Sequence, residues 1–422
     1  MARAAAATGR SGEAVEESRI ARLRKACAQA GFDAFLVRDT SNIRWLTGFD
    51  GVFDDEDAHA LLALPAAARL HTDSRYAEAA RRAAQAAGGA VEVDDARVAH
   101  ARFAAEGMAA FLKEAATDSG TAAAEAEAAP VAPAPADAAG AGSADELVPV
   151  AEAATLGIED AIALREYRAL SKELAKRVPR VSLRETDGFV QKLRAVKDAA
   201  EIARLQAAQA VADAAFAHIA AFMRPGMTER EVQVELEDFM RRHGAEDVAF
   251  PSIVATGANG ASPHAVPGET RLEAGQCVVM DFGAKVQGYC SDMTRTVFLG
   301  EPSPRTRAAY ETIRQANEQV EKLLAPGVTG KQAHELAERV LAEAGFAGKM
   351  GHALGHGVGL DIHEEPLLAP RNPLPLEPGN VVTVEPGVYL PGEFGMRLED
   401  FGVITEDGFM VFTKSSHEMV IL

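Results

Sequence analysis

The stretch "LEAGQCVVMDFGA", residues 272–284, decides the fold because its pattern returns as "LEPGNVVTVEPGV" at residues 376–388. Each copy reads as a turn, a short buried strand, an acid, one further residue and a glycine. Asp281 and Glu385 occupy the same place in the two copies. The repeat predicts two similar half-domains, each of which presents a carboxylate at the end of a strand.

The repeat extends over the segments that precede these strands. "RPGMT" (224–228) and "APGVT" (325–329) each come before a run with helical periodicity. In both segments Pro-Gly ends one helix and the threonine caps the next, and Thr228 forms a capping box with Glu231. The two halves are therefore predicted to be related by a pseudo-two-fold axis.

Each copy supplies a second acid a short hairpin later, Asp292 in "SDMT" and Glu399 in "MRLEDFGV". We expect the four carboxylates to converge where the two halves meet. Buried carboxylates without a counter-charge repel one another by many kcal/mol, so such a site must bind cations or retain protons. We expect metal ions between the carboxylates, because bound cations would offset the repulsion and so allow acids in buried strands.

Histidines strengthen the prediction of a metal site. The segment 350–366 holds three of them among glycines, His352, His356 and His363, and His264 lies in "NGASPHAVP". Oxygen ligands with a single imidazole favour Mn²⁺, Fe²⁺ or Co²⁺ over a sulfur-bound structural zinc. Two carboxylates able to bridge indicate a two-metal centre with ions roughly 3.5–4 Å apart, an arrangement that activates water for hydrolysis.

Composition excludes several other classes of function. The chain has 422 residues, enough for two or three domains, and its net charge of −19 disfavours nucleic-acid binding. Its three cysteines are too scattered for a disulfide framework, which favours a reducing cytoplasmic setting. No apolar run reaches the roughly 18 residues that span a bilayer. Residues 1–16 are predicted to be a disordered start rather than an export signal.

Two shifts in composition divide the chain. Short apolar runs such as "DAFLV" (33–37) alternate with helical patterns and predict an α/β domain over residues 17–185. Within it, residues 117–146 contain Ala, Pro, Gly and acids but no large apolar residue, which predicts a mobile surface insertion. A long amphipathic helix over residues 193–223 is expected to open the second domain, residues 186–422, where the chemistry should lie.

These segments together resemble the proline-specific branch of the pita-bread metallopeptidases of family M24, the Xaa-Pro aminopeptidases and Xaa-Pro dipeptidases (prolidases). The resemblance covers nearly the whole chain and implies an α+β pita-bread catalytic domain preceded by a smaller, creatinase-like α/β domain. The segments that carry it are "SNIRWLTGF" (41–49), "HTDSRY" (71–76), "FPSIVATGANGASPHAVP" (250–267), "DFGAKVQGYCSDMTRT" (281–296), "GHGVGLDIHEEP" (355–366), "VEPGVY" (384–389) and "GMRLEDFGVI" (395–404).

The resemblance implies a set of five metal ligands. In such enzymes the second aspartate and the last glutamate bridge the ions, and these are Asp292 and Glu399 here. Asp281 would bind one ion through both its oxygens, while His356 and Glu385 would bind the other. The complete set argues against the metal-free creatinase relatives and against binding proteins that have lost catalysis.

The resemblance also implies roles in catalysis. A water activated by the ions attacks the carbonyl before proline, and Glu385 takes and returns its proton. His264 and His363 would hydrogen-bond the substrate and the oxyanion. His352 and Arg397 match positions that shape the proline-side pocket. On the residues alone there are alternatives: His264 as an ordinary loop histidine, His352 as a residue that only orients ligands, and Arg397 as a partner for the surrounding acids.

The predicted function is metal-dependent hydrolysis of Xaa-Pro bonds in short proline-containing peptides, as an Xaa-Pro aminopeptidase. A strict Xaa-Pro dipeptidase is the alternative, and it would need a cation such as Arg397 to bind the substrate carboxylate. A lyase on the same scaffold is a more distant alternative. Two divalent ions are expected, Mn²⁺ before Co²⁺, Fe²⁺ or Zn²⁺. A cytoplasmic homodimer is expected, without nucleic-acid or membrane partners.

Overall fold

The computed structural model describes residues 17–54, 56–126 and 153–422, and for residues 118–126 the backbone alone. The chain divides into two compact units, Met1–Gly188 and Phe189–Leu422. This division lies close to the boundary that the sequence predicts between residues 185 and 186. Among the described residues, no helix has the length and apolar character needed to cross a bilayer.

The first unit is a mixed six-stranded sheet with helices, and its strands lie across the sheet in the order Glu92–Asp94, Ala68–Thr72, His59–Ala63, Ala34–Val37, Ala154–Ile158 and Val181–Glu185. Apolar side chains of the sheet and of two helices share one core, which includes Leu36, Leu62, Phe103 and Leu170. Its helices are Arg19–Ala30 (α1), Thr40–Thr47 (α2), Ala77–Ala86 (α3), His100–Ala126 (α4) and Leu164–Arg177 (α5). Its strands are Ala34–Val37 (β1), His59–Ala63 (β2), Ala68–Thr72 (β3), Glu92–Asp94 (β4), Ala154–Ile158 (β5) and Val181–Glu185 (β6).

Two predicted features of this unit fall partly or wholly outside the described residues. The predicted disordered start, residues 1–16, lies outside them, as do residues 127–146 of the predicted insertion. Residues 117–126, the first part of that insertion, continue α4 as far as Ala126. Alanine has the highest intrinsic helix propensity, which accounts for helical backbone in this alanine-rich segment.

Protonation of a buried histidine should weaken the first unit in acid. His59 is fully buried, its Nδ1 lies 2.8 Å from the Thr72 hydroxyl, and burial lowers its pKa to about 4. Because the folded unit then binds fewer protons than the unfolded chain, stability falls as pH drops from about 6.5 towards 4. Trp45, the only tryptophan, is buried in this unit, so its fluorescence reports unfolding there.

The measurement is the urea midpoint from Trp45 fluorescence at a series of pH values. We expect His59→Asn, which retains a polar atom near Thr72, to have a weaker dependence than wild type between pH 6.5 and 4. Equal slopes for the two proteins would contradict the assignment of the effect to His59.

The second unit consists of a short helix, two helix pairs and largely antiparallel sheets, and it confirms the predicted repeat and the α+β class. Its helices are Phe189–Arg194 (α6), Ala199–Phe222 (α7), Glu229–Arg242 (α8), Pro304–Leu323 (α9) and Gly330–Glu343 (α10). Its strands are Asp247–Val248 (β7), Ile253–Thr256 (β8), Cys277–Phe282 (β9), Ala284–Val286 (β10), Tyr289–Cys290 (β11), Met293–Phe298 (β12), Gly355–Gly357 (β13), Glu364–Leu368 (β14), Val381–Val384 (β15), Gly387–Leu390 (β16), Phe394–Arg397 (β17), Asp400–Thr405 (β18), Gly408–Val411 (β19) and Val420–Ile421 (β20).

Equivalent hydrogen bonds in the two halves show how the repeat folds. Thr228 and Thr329 cap α8 and α10, and each forms a capping box with the third residue of its helix. The glycine before each cap donates its N–H to the leucine that opens the repeated stretch: Gly226 to Leu272 at 2.8 Å, and Gly327 to Leu376 at 2.9 Å. The local turn chemistry thus sets the same helix–strand geometry twice.

The opening helix differs from the prediction of one helix over residues 193–223. Helix α6 ends at Arg194, and α7 begins at Ala199 behind a capping box formed by Asp198 and Glu201. Between them the main chain runs alongside Asn380, and the Lys197 N–H donates to Gly379 O at 2.9 Å. The side-chain cap at Asp198 starts a new helix, which explains the break.

Two sheets carry the predicted site residues. The first has the order β20-β12-β9-β8 and the second the order β14-β13-β15-β18-β19. An isolated bridge between Thr294 and Glu399 joins them, with the Glu399 N–H donating to Thr294 O at 3.1 Å. The acidic ends of both repeats therefore meet at this junction.

Candidate metal centre

The four repeat acids lie at strand ends beside the junction. Asp281 is in β9 and pairs in register with Thr294 of β12, and Asp292 comes directly before that strand. Glu385 follows β15, and Glu399 precedes β18. The hairpins of the two halves therefore bring carboxylates distant in sequence to one place.

One cavity of about 340 Å³ contains every predicted site residue in its wall. The structure thus brings together all the candidates that the sequence indicates, and none of them lies elsewhere. They are His264, Asp281, Asp292, His352, His356, His363, Glu385, Arg397 and Glu399, accompanied by Phe250, Ile253, Pro263, Ala353 and Ile362.

Three of these side chains are arranged so that they can share one ion. Ligand atoms of Asp292, His356 and Glu399 all lie within 4.8 Å of one another. His356 Nε2 is 3.5 Å from Asp292 Oδ2 and also 3.5 Å from Glu385 Oε1. Its Nδ1 donates to Gly357 O at 2.9 Å, which leaves the Nε2 lone pair facing the carboxylates. Burial lowers the pKa of His356 to about 4, so the imidazole is neutral, as a ligand must be.

Among the described residues of the cavity wall, Arg397 alone carries a permanent positive charge, which is too little to stabilise four ionised carboxylates. Burial, followed by repulsion from Glu399, Asp281 and Glu385, raises the pKa of Asp292 well above its ordinary value. Burial and repulsion likewise raise the pKa of Glu399, and burial raises that of Glu385 to about 8. Asp281 Oδ1 is buried and has no hydrogen-bond partner among the residues that the structure describes. Orphaned acceptors and repelling acids fit a site built for hard divalent cations.

Arg397 lines the cavity and also contacts a candidate ligand. It is 3% exposed, and its guanidinium donates to Asp281, to Thr294 Oγ1 at 2.9 Å and to Tyr389 Oη at 2.7 Å. Tyr389 Oη in turn lies 3.1 Å from His352 Nε2, whose Nδ1 donates to a main-chain carbonyl. These bonds orient Asp281 and connect it to His352.

Sequence reasoning missed Tyr389 and two threonines. Thr294 Oγ1 donates to Glu399 at 2.6 Å, and Thr383 Oγ1 donates to Glu385 at 3.3 Å while accepting the His356 N–H at 3.0 Å. A signal for the threonines was present, because residues two apart in a strand share a face, as Thr294 does with Asp292 and Thr383 with Glu385. No comparable pattern marks Tyr389.

The remaining two histidines line the cavity beside these acids. His264 is exposed on the loop that follows the short 3₁₀ turn Gly257–Ala261. The His363 ring packs edge-on against His356, with 4.4 Å between ring centroids. Burial lowers the pKa of His363, which favours its neutral form. Both imidazoles are thus available to a molecule that enters the cavity.

Loss of Arg397 should weaken metal binding. We expect Arg397→Met to lower metal affinity about 10–100-fold, because an unrestrained Asp281 loses its orientation. The measurement is calorimetric titration of chelator-treated protein with Mn²⁺. The matched control is Arg305→Met, since Arg305 is exposed and pairs with Glu393, away from the cavity wall. Unchanged affinity in Arg397→Met would contradict an orienting role.

Comparisons with known proteins show which families this chain is similar to. The model of metallopeptidase family M24 matches residues 203–406, and that of the creatinase/prolidase N-terminal domain matches residues 19–155. An Xaa-Pro dipeptidase of Pyrococcus horikoshii is 35% identical over 266 residues, which are 63% of this chain and 75% of that protein. The uncharacterized peptidase YqhT of Bacillus subtilis is 45% identical over 233 residues, 55% of this chain and 66% of the relative.

Solved structures are similar over nearly the full length. The Xaa-Pro dipeptidase from Bacillus anthracis superposes with a TM-score of 0.78 at 35% identity, covering 96% of this chain and 99% of that one. The X-Pro aminopeptidase from Thermotoga maritima has a TM-score of 0.72 at 30% identity, and the match covers 94% of this chain and 100% of that one. Both the first unit and the second are therefore covered by proteins of the same architecture.

Proposed function

Because the chain belongs to metallopeptidase family M24, we propose that it hydrolyses the peptide bond before proline in short peptides, as an Xaa-Pro aminopeptidase. The observation that carries the proposal is the convergence of four carboxylates and one imidazole on a single cavity from two repeated half-domains. A neutral imidazole among acids of raised pKa is an arrangement suited to divalent metals.

We further propose that two divalent ions, preferably Mn²⁺, are held by the side chains of Asp281, Asp292, His356, Glu385 and Glu399. When bound, such ions lower the pKa of water and polarise the scissile carbonyl. The chain supplies oxygens and one nitrogen at this site, and no thiol among the described residues lines the cavity. Hard ligands of this kind favour Mn²⁺, Co²⁺ or Fe²⁺, with Zn²⁺ as a further candidate.

The other cavity residues would bind the peptide and move protons. Glu385 faces the cavity and would take the proton of the attacking water and return it to the leaving nitrogen. His264 and His363 would donate hydrogen bonds to the carbonyl oxygen, where negative charge develops. Phe250 and Ile253 offer an apolar wall of the kind that a proline ring requires.

The engagement of Arg397 favours an aminopeptidase over a strict dipeptidase. A dipeptidase needs a cation for the substrate carboxylate, but the Arg397 guanidinium already donates to Asp281, Thr294 and Tyr389. Within the described part of the chain, the cavity wall contains no other lysine or arginine. The dipeptidase stays the second candidate because several relatives carry that name.

Amidated substrates distinguish the two candidates. We expect Ala-Pro-amide and Ala-Pro to be cleaved with kcat/KM values within about tenfold of each other, because an aminopeptidase does not bind the terminal carboxylate. A loss of more than about 100-fold on amidation would instead indicate a dipeptidase, since an unpaired buried cation is costly. Ala-Gly serves as the control for the proline requirement.

Chelation tests the proposal as a whole. Removal of metal should abolish cleavage of the Xaa-Pro panel, and Mn²⁺ should restore it. A metal-loaded protein that cleaves no Xaa-Pro peptide would refute the proposed peptidase activity, and release of an elimination product would favour the lyase.

The homodimer and the cytoplasmic location stay predictions. Light scattering tests the first, and cell fractionation tests the second.

A further inference from the structure

Four charged side chains, three of them buried, form a second cluster separate from the acids of the metal centre. Arg194 Nη2 donates to Asp361 Oδ2 at 2.8 Å and also to Glu364, and Lys197 Nζ donates to Glu364 Oε2 at 3.0 Å. The side chains of Arg194, Lys197 and Glu364 are only 2%, 1% and 6% exposed. Two cations thus surround one almost inaccessible carboxylate.

This arrangement keeps Glu364 ionised. Burial by itself raises the pKa of Glu364, but the charges of Lys197 and Arg194 outweigh this effect and lower the pKa to about 2. The carboxylate also accepts the Asp361 N–H at 3.0 Å, and a Cβ at Gly359 would collide with it. The backbone of the turn from Gly359 to Glu364 is therefore wrapped closely around its own anchored carboxylate.

The turn held in this way carries a cavity residue. His363 directly precedes Glu364, and Glu364 opens β14, where it pairs in register with Gly357, next to His356. The Cys290 N–H, close in sequence to Asp292, donates to Gly359 O at 2.8 Å. The same short segment therefore contacts the cluster on one side and presents the His363 imidazole to the cavity on the other.

Stability alone is a poor explanation for this cluster. Desolvating several charges offsets most of their attraction, so apolar residues of similar volume would hold the fold at least as well. Charged hydrogen bonds differ from apolar packing in being directional, because the guanidinium fork and the ammonium group fix both carboxylate oxygens. The charged hydrogen bonds therefore fix the position of Glu364 and of its neighbour His363.

We propose that Arg194 and Lys197, at the start of the second unit, are positioning residues that hold His363 at the substrate through Glu364. The inference rests on the proposed function, in which His363 contacts the peptide carbonyl. A shift of about 1 Å in such a group, caused by a distant substitution, lowers the rate by about 10²-fold.

A double-mutant cycle tests the coupling on the full-length, metal-loaded protein. The variants are Lys197→Met, His363→Ala and both together, assayed on Ala-Pro-Ala well below the unfolding temperature. We expect Lys197→Met to lower kcat about 10–100-fold with metal content unchanged, and to cause no further loss once His363 is Ala. Lys197→Arg should recover most of the rate, and Lys331→Met, on the exposed face of α10, should behave as wild type.

The outcomes separate the inference from the proposed function. Multiplicative losses in the cycle, or a Lys197→Met variant with a lower unfolding temperature and an unchanged kcat, would overturn the positioning role. If Lys197→Met fails to fold, Glu364→Gln replaces it in the same cycle, since the amide preserves the shape and removes the charge. A wild-type protein that cleaves no Xaa-Pro peptide would refute the function itself.

Discussion

Glu399→Gln should lose its metal ions and show a kcat/KM at least about 10³-fold below wild type. Glu399 is 2% exposed, it accepts a 2.6 Å hydrogen bond from Thr294, and its carboxylate faces Asp292 and His356. In the proposed centre Glu399 would bind both ions, and a neutral amide binds cations far more weakly than a carboxylate; bound metals contribute several kcal/mol of transition-state stabilisation. The measurements are elemental analysis of the dialysed protein and steady-state cleavage of Ala-Pro-Ala.

The same substitution should leave the metal-free protein at least as stable as wild type. Burial, followed by repulsion from Glu385 and Asp281, raises the pKa of Glu399, so removal of its charge relieves part of this unfavourable energy. Calorimetric unfolding of the two metal-free proteins tests whether Glu399→Gln is at least as stable as wild type. Glu406→Gln, at an exposed position, is the matched control. A Glu399→Gln enzyme with full metal content and wild-type rate would refute the proposed metal centre.

Arg295→Met should lower the free energy of unfolding of the second unit by about 3–5 kcal/mol. Arg295 is 1% exposed, and it pairs at 2.6 Å with Asp400, which is fully buried. The variant would leave that carboxylate without its arginine partner. The main-chain oxygens that accept the other guanidinium hydrogens are those of Thr294, Glu399, Ser415 and Ser416.

Urea unfolding followed by far-ultraviolet circular dichroism measures this loss, because Trp45 fluorescence reports on the first unit alone. Arg307→Met is the control, since Arg307 and Glu301 form an exposed pair that is worth at most about 1 kcal/mol. Addition of Asp400→Asn to Arg295→Met should recover part of the stability by removing the charge of a carboxylate that has lost its arginine and keeps His417 Nε2 at 2.6 Å. Equal midpoints for wild type and Arg295→Met would contradict the assigned role.

The acids and histidines were predictable from the sequence because their placement depends on local rules. Pro-Gly-x-Thr starts a capped helix, and a short apolar run that ends in an acid starts a strand, wherever these patterns occur. When both recur in the same order, as before Asp281 and before Glu385, the half-domains fold alike and their acids face each other. The resemblance to a known family added the choice among the histidines.

The break between α6 and α7 shows where local patterns fail. An alanine-rich run with charged residues suggests a continuous helix over residues 193–223, yet the chain between Arg194 and Ala199 pairs instead with the strand region at Asn380. A cap at Asp198 permits the interruption, but the partner that makes it favourable lies far along the chain. Tertiary pairing overrides helix propensity there.

The sequence by itself determined the repeat and the candidate acids, because both follow from local patterns along the chain, and its resemblance to a known family implied the α+β class and the choice among the histidines. Only the tertiary structure decided what surrounds them: Arg397 against Asp281, Tyr389 against His352, and Lys197 against Glu364. The last of these joins residues far apart in sequence, and no local pattern encodes such a contact. Such a contact depends on how the strands and helices pack, because a buried charge is costly unless it has a partner.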